Sequence, residues 1–175
     1  MRRLALAVLA VILGAHRSAA QEASPVPRTD WGTFMFERDI GKTTGQLGGN
    51  ADAVYAALPA AFAELGLTPK AVDPANRVLE LKRHRLVRKL GKDALSRFLS
   101  CGDGLLGPNA DSYYVYLTLT AQVTATPNGR SLLTLYFTAD AVNVPGGQSD
   151  RLPCATTGLF EHRLVTKLQA RFPST

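Results

Sequence analysis

Apolar and polar residues alternate most regularly between residues 113 and 144. Tyr113, Val115, Leu117, Leu119, Ala121 and Val123 alternate with Tyr114, Tyr116, Thr118, Thr120, Gln122 and Thr124. A period of two places one set on each side of a strand, so this stretch predicts a half-buried strand with an apolar face and a hydroxyl-rich face. After Thr126-Pro127-Asn128-Gly129 the pattern resumes: Leu133, Leu135, Phe137 and Ala139 face one way, Thr134, Tyr136, Thr138 and Asp140 the other. Parity then sets the loop length. A two-residue Asn128-Gly129 turn would pair odd with even positions and turn one apolar face outward. A three-residue loop, Pro127-Asn128-Gly129, pairs 123 with 133, 121 with 135 and 119 with 137. Pro and Asn suit the centre of a type I turn, and Gly suits the left-handed position after it.

Two stretches show helical spacing instead. Val54, Leu58, Phe62 and Leu65 recur every three or four residues behind a capping Asn50 and a first-turn Asp52, and Gly66 with Leu67 supplies a stop. Pro59 lies inside this pattern, removes a backbone bond to Tyr55 and predicts a kink. A second helix is expected from Thr157 or Gly158 to about Phe172. Phe160, Leu164, Val165, Leu168 and Phe172 form its inner stripe, Glu161, Arg163, Lys167 and Arg171 its outer face, and Pro173 its end.

Weaker signals fill the rest. Thr33 to Ile40 reads as a first strand ending at Gly41, with Gly45, Gly48 and Gly49 as a flexible loop. Leu67 to Val72 and Val78 to Arg85 read as strands around Asp73-Pro74-Ala75-Asn76. Leu86, Leu90, Ala94 and Phe98 step by four, which suggests a short amphipathic helix or an irregular arm interrupted by Gly91. Residues 101–111 read as a Gly-rich loop, and Pro145-Gly146-Gly147 as the end of the second long strand. The expected fold is a two-layer α+β domain. Its antiparallel sheet carries an N-terminal-half helix and a C-terminal helix packed on one face.

Composition adds a compartment. The chain has 175 residues, enough for one domain, and 46% of them are apolar, which excludes a wholly disordered chain. No later apolar run approaches the ~20 residues of a membrane span, which excludes a multi-pass protein. Met1-Arg2-Arg3, the uncharged run Leu4 to Ala15 and the small residues Ser18 and Ala20 together predict a signal peptide over residues 1–20. Residues 21–30 are then a flexible lead-in and 31–173 a single domain, periplasmic or secreted by bacterial export. No cysteine near the predicted cleavage point would take a lipid. In an oxidising compartment the two cysteines, Cys101 and Cys154, are expected to pair.

Loss of Arg2, Arg3 and Arg17 lowers the formal charge from +6 to +3. Residues 82–97 hold seven cations against Asp93, leaving the remainder slightly acidic. Lys82, Arg83, Arg85, Arg88, Lys89 and Lys92 are therefore candidate binding residues for an anionic envelope surface or an acidic protein face. Tyr114, Tyr116 and Tyr136 form a second candidate, because tyrosine offers contact area and a hydrogen bond together.

Catalytic chemistry is thinly represented. Only His84 and His162 survive signal removal, no Gly-x-Ser-x-Gly elbow is present, and paired cysteines leave a metal site short of ligands. Asp103, Asn109 and Asp111 read better as turn formers than as calcium ligands. Lys42-Thr43-Thr44 before Gly45 does not have the order of a phosphate-binding loop.

In its order of elements and in the Val54-x-x-x-Leu58-x-x-x-Phe62-x-x-Leu65-Gly66-Leu67 stretch, the chain resembles the helix-grip-like domains of the outer-membrane assembly lipoprotein BamC. It is also similar to uncharacterised secreted bacterial proteins in Leu99-Ser100-Cys101-Gly102 and in Gly107-Pro108-Asn109-Ala110-Asp111-Ser112-Tyr113. The expected function is a non-enzymatic binding or structural domain of the cell envelope that contacts an anionic surface or a protein partner through residues 82–97. No cofactor, metal, specific nucleic acid or membrane span is expected. The alternative implied by the resemblance is a protein whose sheet and helices enclose a small apolar ligand.

Overall fold

The computed structural model describes residues 35–37, 41–143 and 151–173. The predicted signal peptide, the lead-in and Pro145-Gly146-Gly147 lie outside the described residues, as does most of the first predicted strand. In chain order the elements are β1 (Met35–Glu37), β2 (Lys42–Leu47), α1 (Ala51–Glu64), β3 (Lys70–Asp73), β4 (Val78–Val87), β5 (Lys89–Leu90) and β6 (Asp93–Ala94). A 3-10 turn at Leu95–Arg97 leads to β7 (Leu99–Ser100), β8 (Asp103–Gly104), β9 (Gly107–Pro108), α2 (Asn109–Ser112), β10 (Tyr114–Ala125), β11 (Ser131–Val142), β12 (Arg151–Thr156) and α3 (Leu159–Arg171). None of the described helices is long and apolar enough to cross a membrane.

The long hairpin β10–β11 forms the centre of an antiparallel sheet of order β1-β2-β11-β10-β4-β5-β6, with β3 on β4. Its register is the one parity requires: Val123 opposes Leu133, Ala121 opposes Leu135 and Leu119 opposes Phe137. Thr126 N–H donates to the Arg130 carbonyl at 2.9 Å and Gly129 N–H to the Thr126 carbonyl at 3.1 Å, closing the three-residue loop. Gly129 takes the left-handed conformation there, with φ 71°. The outer edge of β11 is shared. β2 pairs with residues 131–136 and β12 with residues 139–142.

Both long helices pack on one face of the sheet, as expected for a two-layer α+β domain. The inward rows Val115 to Val123 and Leu133 to Phe137 meet Val54, Leu58 and Phe62 of α1 and Phe160, Leu164 and Leu168 of α3 in one core. The rings of Phe62 and Phe160 stack with centroids 6.0 Å apart where the helices meet. Asn50 caps α1 by accepting from Ala53 N–H at 2.9 Å. At its other end Leu67 N–H reaches the Phe62 carbonyl and Gly66 N–H the Ala63 carbonyl, both at 3.0 Å, with Gly66 at φ 84°. This pair of bonds is a Schellman stop, and Leu67 closes it by burying completely. The helix runs through Pro59, which faces solvent, where water can bond the carbonyl that proline frees on Tyr55.

Three readings are corrected, and of the two given for the stretch after Leu86 the irregular arm is the one found. Gly45 belongs to a strand, not a loop: Thr43, Gly45 and Leu47 alternate inward along β2. A Cβ at Gly45 would stand 3.0 Å from Val165 Cγ2, so a side chain there would have to push Val165 of α3 aside. The four-residue steps after Leu86 do not make a helix. Arg88 and Gly91 both sit at φ 61°, which folds residues 86–98 into an irregular arm of two short strands and a 3-10 turn. The loop 101–111 contains the small β8–β9 hairpin and one turn of helix, α2. Glu161, expected on the outer face of α3, has no exposed surface at all.

Cys101 and Cys154 form a disulfide, with Cα atoms 4.2 Å apart. It joins the chain after β7 to β12, beside the backbone pairs Ala155–Ser100 and Thr156–Leu99.

Candidate functional site

The two surface candidates of the sequence meet on one face of the sheet. Along the first part of β4, Leu79 and Leu81 point into the core and Val78 and Glu80 point away. Unbroken alternation would then send Lys82 and His84 outward and bring Arg83 and Arg85 in. A β-bulge intervenes. The register of β4 against β10 shifts by one residue between Leu117 and Leu119, so that Lys82 and Arg83 together oppose Thr118. Arg83 takes a left-handed conformation, φ 46°, and its N–H donates to Thr118 Oγ1 at 3.1 Å.

Parity reverses beyond the bulge. Leu86 becomes the inward residue opposite Val115, His84 lies half-buried opposite Leu117, and Arg85 and Val87 face outward opposite Tyr116 and Tyr114. The extra residue therefore brings Arg83 and Arg85 to the solvent side, where Lys82 already points. A non-glycine residue with positive φ costs about 1–2 kcal/mol. The only sequence signal for this was the spacing of leucines, odd at 79 and 81 and even at 86.

The arginines lie over the tyrosines. The Arg83 guanidinium is 5.0 Å from the Tyr116 ring centroid and that of Arg85 is 5.2 Å from the Tyr114 ring. At exposed positions each such contact contributes about 0.5–1 kcal/mol, and it holds a flexible cation in one place. Across the sheet Tyr116 opposes Asp140, which receives Arg151 at 3.2 Å and Arg83 at a looser 3.8 Å. Thr118, Thr120, Thr138 and Tyr136 continue the same outward rows, and Tyr136 is 40% exposed between Thr120 and Lys42. The result is a polar, aromatic and cationic surface that no described helix covers.

The rest of the basic stretch divides. Arg88 and Lys89 stand exposed at the turn from β4 to β5, beside the row Val87–Tyr114–Val142. Lys92 turns to the other layer, onto the rim of a 570 Å³ cleft between the end of α1, the arm and α3. Among the described residues no carboxylate lies within ion-pair distance of Lys82, Arg85, Arg88, Lys89 or Lys92. Asp93, the acid of the stretch, is occupied by Arg97 and by Arg163 at 2.5 Å. Arg163 first, and Arg97 after it, hold its carboxyl below the ordinary range.

The cleft beside Lys92 offers little to a ligand. Its floor residues Leu90, Phe98 and Phe160 are already at most 6% exposed. Apart from Lys92, its rim charges are paired: Glu64 receives Lys167 at 2.7 Å and Arg171 at 2.5 Å. Asp111, considered as an oxygen ligand, instead accepts from Ser96 N–H at 2.9 Å and Ser96 Oγ at 2.6 Å. Asn109 is buried and donates to the Cys101 carbonyl at 3.2 Å. No group of three or more His, Cys, Asp or Glu among the described residues is placed to hold a metal ion.

One buried acid stands apart from this surface. Glu161 lies in the first turn of α3, and neither carboxylate oxygen has a hydrogen-bond partner. Burial pushes its carboxyl up; the Thr156 hydroxyl opposes the shift without reaching hydrogen-bond geometry. Thr43, on the inward row of β2 two residues before Gly45, also has a buried hydroxyl without a partner. Gly45 abuts Val165 and Gly49 abuts Phe172, so α3 and β2 run side by side in the same direction.

No protein-family model and no curated protein matches the chain. Among solved structures, a DUF4468 family protein from Bacteroides ovatus is similar over 67% of this chain, at 12% identity and a TM-score of 0.33. The likeness spans 63% of that protein's length. So distant a likeness says nothing about role. The resemblance to BamC-like domains gains no support from these comparisons.

Proposed function

We propose that the chain is a non-enzymatic binding domain of the bacterial envelope that holds an acidic segment of a partner protein against its open sheet face. The observation that carries this reading is the pair of arginine–tyrosine stacks, Arg83 on Tyr116 and Arg85 on Tyr114, on a face that no described helix covers. Lys82 and Arg85 have no carboxylate partner among the described residues, so a carboxylate from outside would meet uncompensated charge. A stacked guanidinium keeps its N–H groups free to bond a carboxylate while the ring limits the rotamer freedom lost on binding. The Cys101–Cys154 disulfide supports an oxidising compartment.

The test is a titration with soluble polyglutamate, followed through the ring resonances of Tyr114, Tyr116 and Tyr136. Those signals should shift together, more weakly as salt is raised. Arg83→Glu/Arg85→Glu should weaken the interaction at least tenfold, since like charges then face each other. Glutamate at position 83 bears the same backbone cost as arginine but stands near Asp140, so the melting temperature of the variant is measured alongside and should stay close to the parent's. A titration that leaves the tyrosines unmoved, or that moves them equally in the variant, overturns the reading.

A further inference from the structure

We propose that the β8–β9 hairpin is a membrane-contacting tip, whose two leucines enter the interface of an anionic lipid bilayer. The hairpin pairs Asp103 with Pro108 and Gly104 with Gly107, leaving Leu105 and Leu106 as a two-residue turn. The two residues are 107% and 94% exposed, more than any other large apolar residue described. Soluble proteins expose single leucines freely, but two adjacent ones projecting from a tight turn form an apolar point that water solvates poorly.

The exposure is built in. Cys101, two residues before the hairpin, is fixed to β12 by the disulfide. Asn109, immediately after it, donates its backbone N–H to the Gly102 carbonyl at 2.9 Å and its side-chain amide to the Cys101 carbonyl. Gly102 and Gly107 take positive φ, and a Cβ on Gly104 would stand 2.7 Å from Asn109 Oδ1. Three glycines and a buried asparagine thus hold a short, stiff loop away from the core, where a collapsed loop would have hidden its leucines.

Charge at the same end of the sheet selects the occupant. One turn of helix, α2, carries the chain from the hairpin to the start of β10, and Tyr114 there pairs with Val87. Next to Val87 stand Arg88 and Lys89, exposed and without a carboxylate partner among the described residues, and Val87 itself is 45% exposed. The hairpin's own acid, Asp103, sits at its base and not at its tip. An apolar point joined through α2 to an end of the sheet that carries unpaired cations matches an anionic bilayer, in which apolar groups enter the acyl boundary and cations meet headgroup phosphates. The cations adjoin the Arg85–Tyr114 stack along Val87, but Leu105 and Leu106 are no part of it, so the leucine variant tests this proposal independently of the sheet-face reading.

The experiment is co-sedimentation of the full disulfide-bonded protein with vesicles of phosphatidylglycerol and phosphatidylethanolamine, and with neutral phosphatidylcholine vesicles. The parent should partition onto the anionic vesicles and remain in solution with the neutral ones. Leu105→Asp/Leu106→Asp, at positions that touch nothing, should keep the melting temperature and lose at least tenfold in partitioning. Arg88→Glu/Lys89→Glu should lose a similar amount, whereas Arg83→Glu/Arg85→Glu should still bind appreciably. A parent that ignores both vesicles overturns the proposal and leaves the leucines to an apolar pocket on another protein. A leucine variant that binds as well as the parent also overturns it, because binding would then be electrostatic alone.

Discussion

Glu161→Gln should stabilise the fold at neutral pH and leave it nearly unchanged in acid. Glu161 has no exposed surface and no hydrogen bond to either carboxylate oxygen, and burial raises its carboxyl above the ordinary 4.5. The unfolded chain ionises this group near 4.5, so above that pH the native state keeps a proton that the unfolded state releases. The sign follows: the contribution to stability is complete below 4.5 and is lost as pH rises toward the raised native value. The loss is a factor of ten in the folding equilibrium for each pH unit, until the native carboxyl itself ionises. Glutamine keeps the shape and stays neutral throughout. It also keeps an unpaired buried polar group, so near pH 4 variant and parent should agree within about 1 kcal/mol. Glu161→Met removes the polar atoms as well and should add roughly 1–3 kcal/mol at every pH. Asp52, Glu64, Asp73 and Asp93 shift the opposite way, chiefly through Arg77, Lys167, Asn76 and Arg163 respectively. Their contributions are present above their unfolded values and lost as pH falls, so they act in acid and leave the neutral window to Glu161. Urea-unfolding midpoints of the three proteins from pH 4 to pH 8 provide the assay. A parent whose stability is flat above pH 5, or a glutamine variant that declines in parallel with it, would refute the reasoning.

Further outcomes can be checked by the same melts. Cys101→Ala/Cys154→Ala releases a link spanning 53 positions and should cost about 4 kcal/mol in the chain-entropy model. A loss under about 1 kcal/mol would show that the unfolded chain was not constrained by that link. Gly41→Ala and Gly129→Ala separate strain from clash, both glycines having positive φ. At Gly129 a Cβ meets nothing within 4 Å, so only the backbone cost of about 1–2 kcal/mol applies. At Gly41 the Cβ would lie 2.1 Å from the Phe137 carbonyl oxygen, and the loss should be clearly larger. Equal losses at the two sites would contradict that geometry.

The elements legible in the sequence are those whose signals are local. The β10–β11 register followed from strict period two and the chemistry of Pro127-Asn128-Gly129, and the ends of α1 followed from Asn50 and Gly66. What was missed is set by distant neighbours. Gly45 reads as a loop until Val165 is known to press on it, and its strand becomes visible only as Thr43, Gly45 and Leu47 on one side. β12 holds Pro153 and lacks apolar alternation; it is a strand because β11 and β7 offer it edges. Glu161 looked like an outer-face residue because charge usually marks solvent, and only its complete burial in the folded chain shows otherwise. At the candidate surface, charge and tyrosines were each visible, but as two separate features. They meet because the bulge at Lys82 and Arg83 reverses parity, and a bulge leaves only the displaced leucine at 86 as its trace.

The most direct measurement is site-specific photo-cross-linking in intact cells of the source organism, with the photoreactive residue at Tyr136 on the sheet face or at Thr166 on the exposed side of α3. Capture of a discrete acidic envelope protein from position 136, none from 166, and loss of the product in Arg83→Glu/Arg85→Glu is the predicted result. Capture from position 166 alone, or capture from 136 that survives the charge reversal, would contradict it.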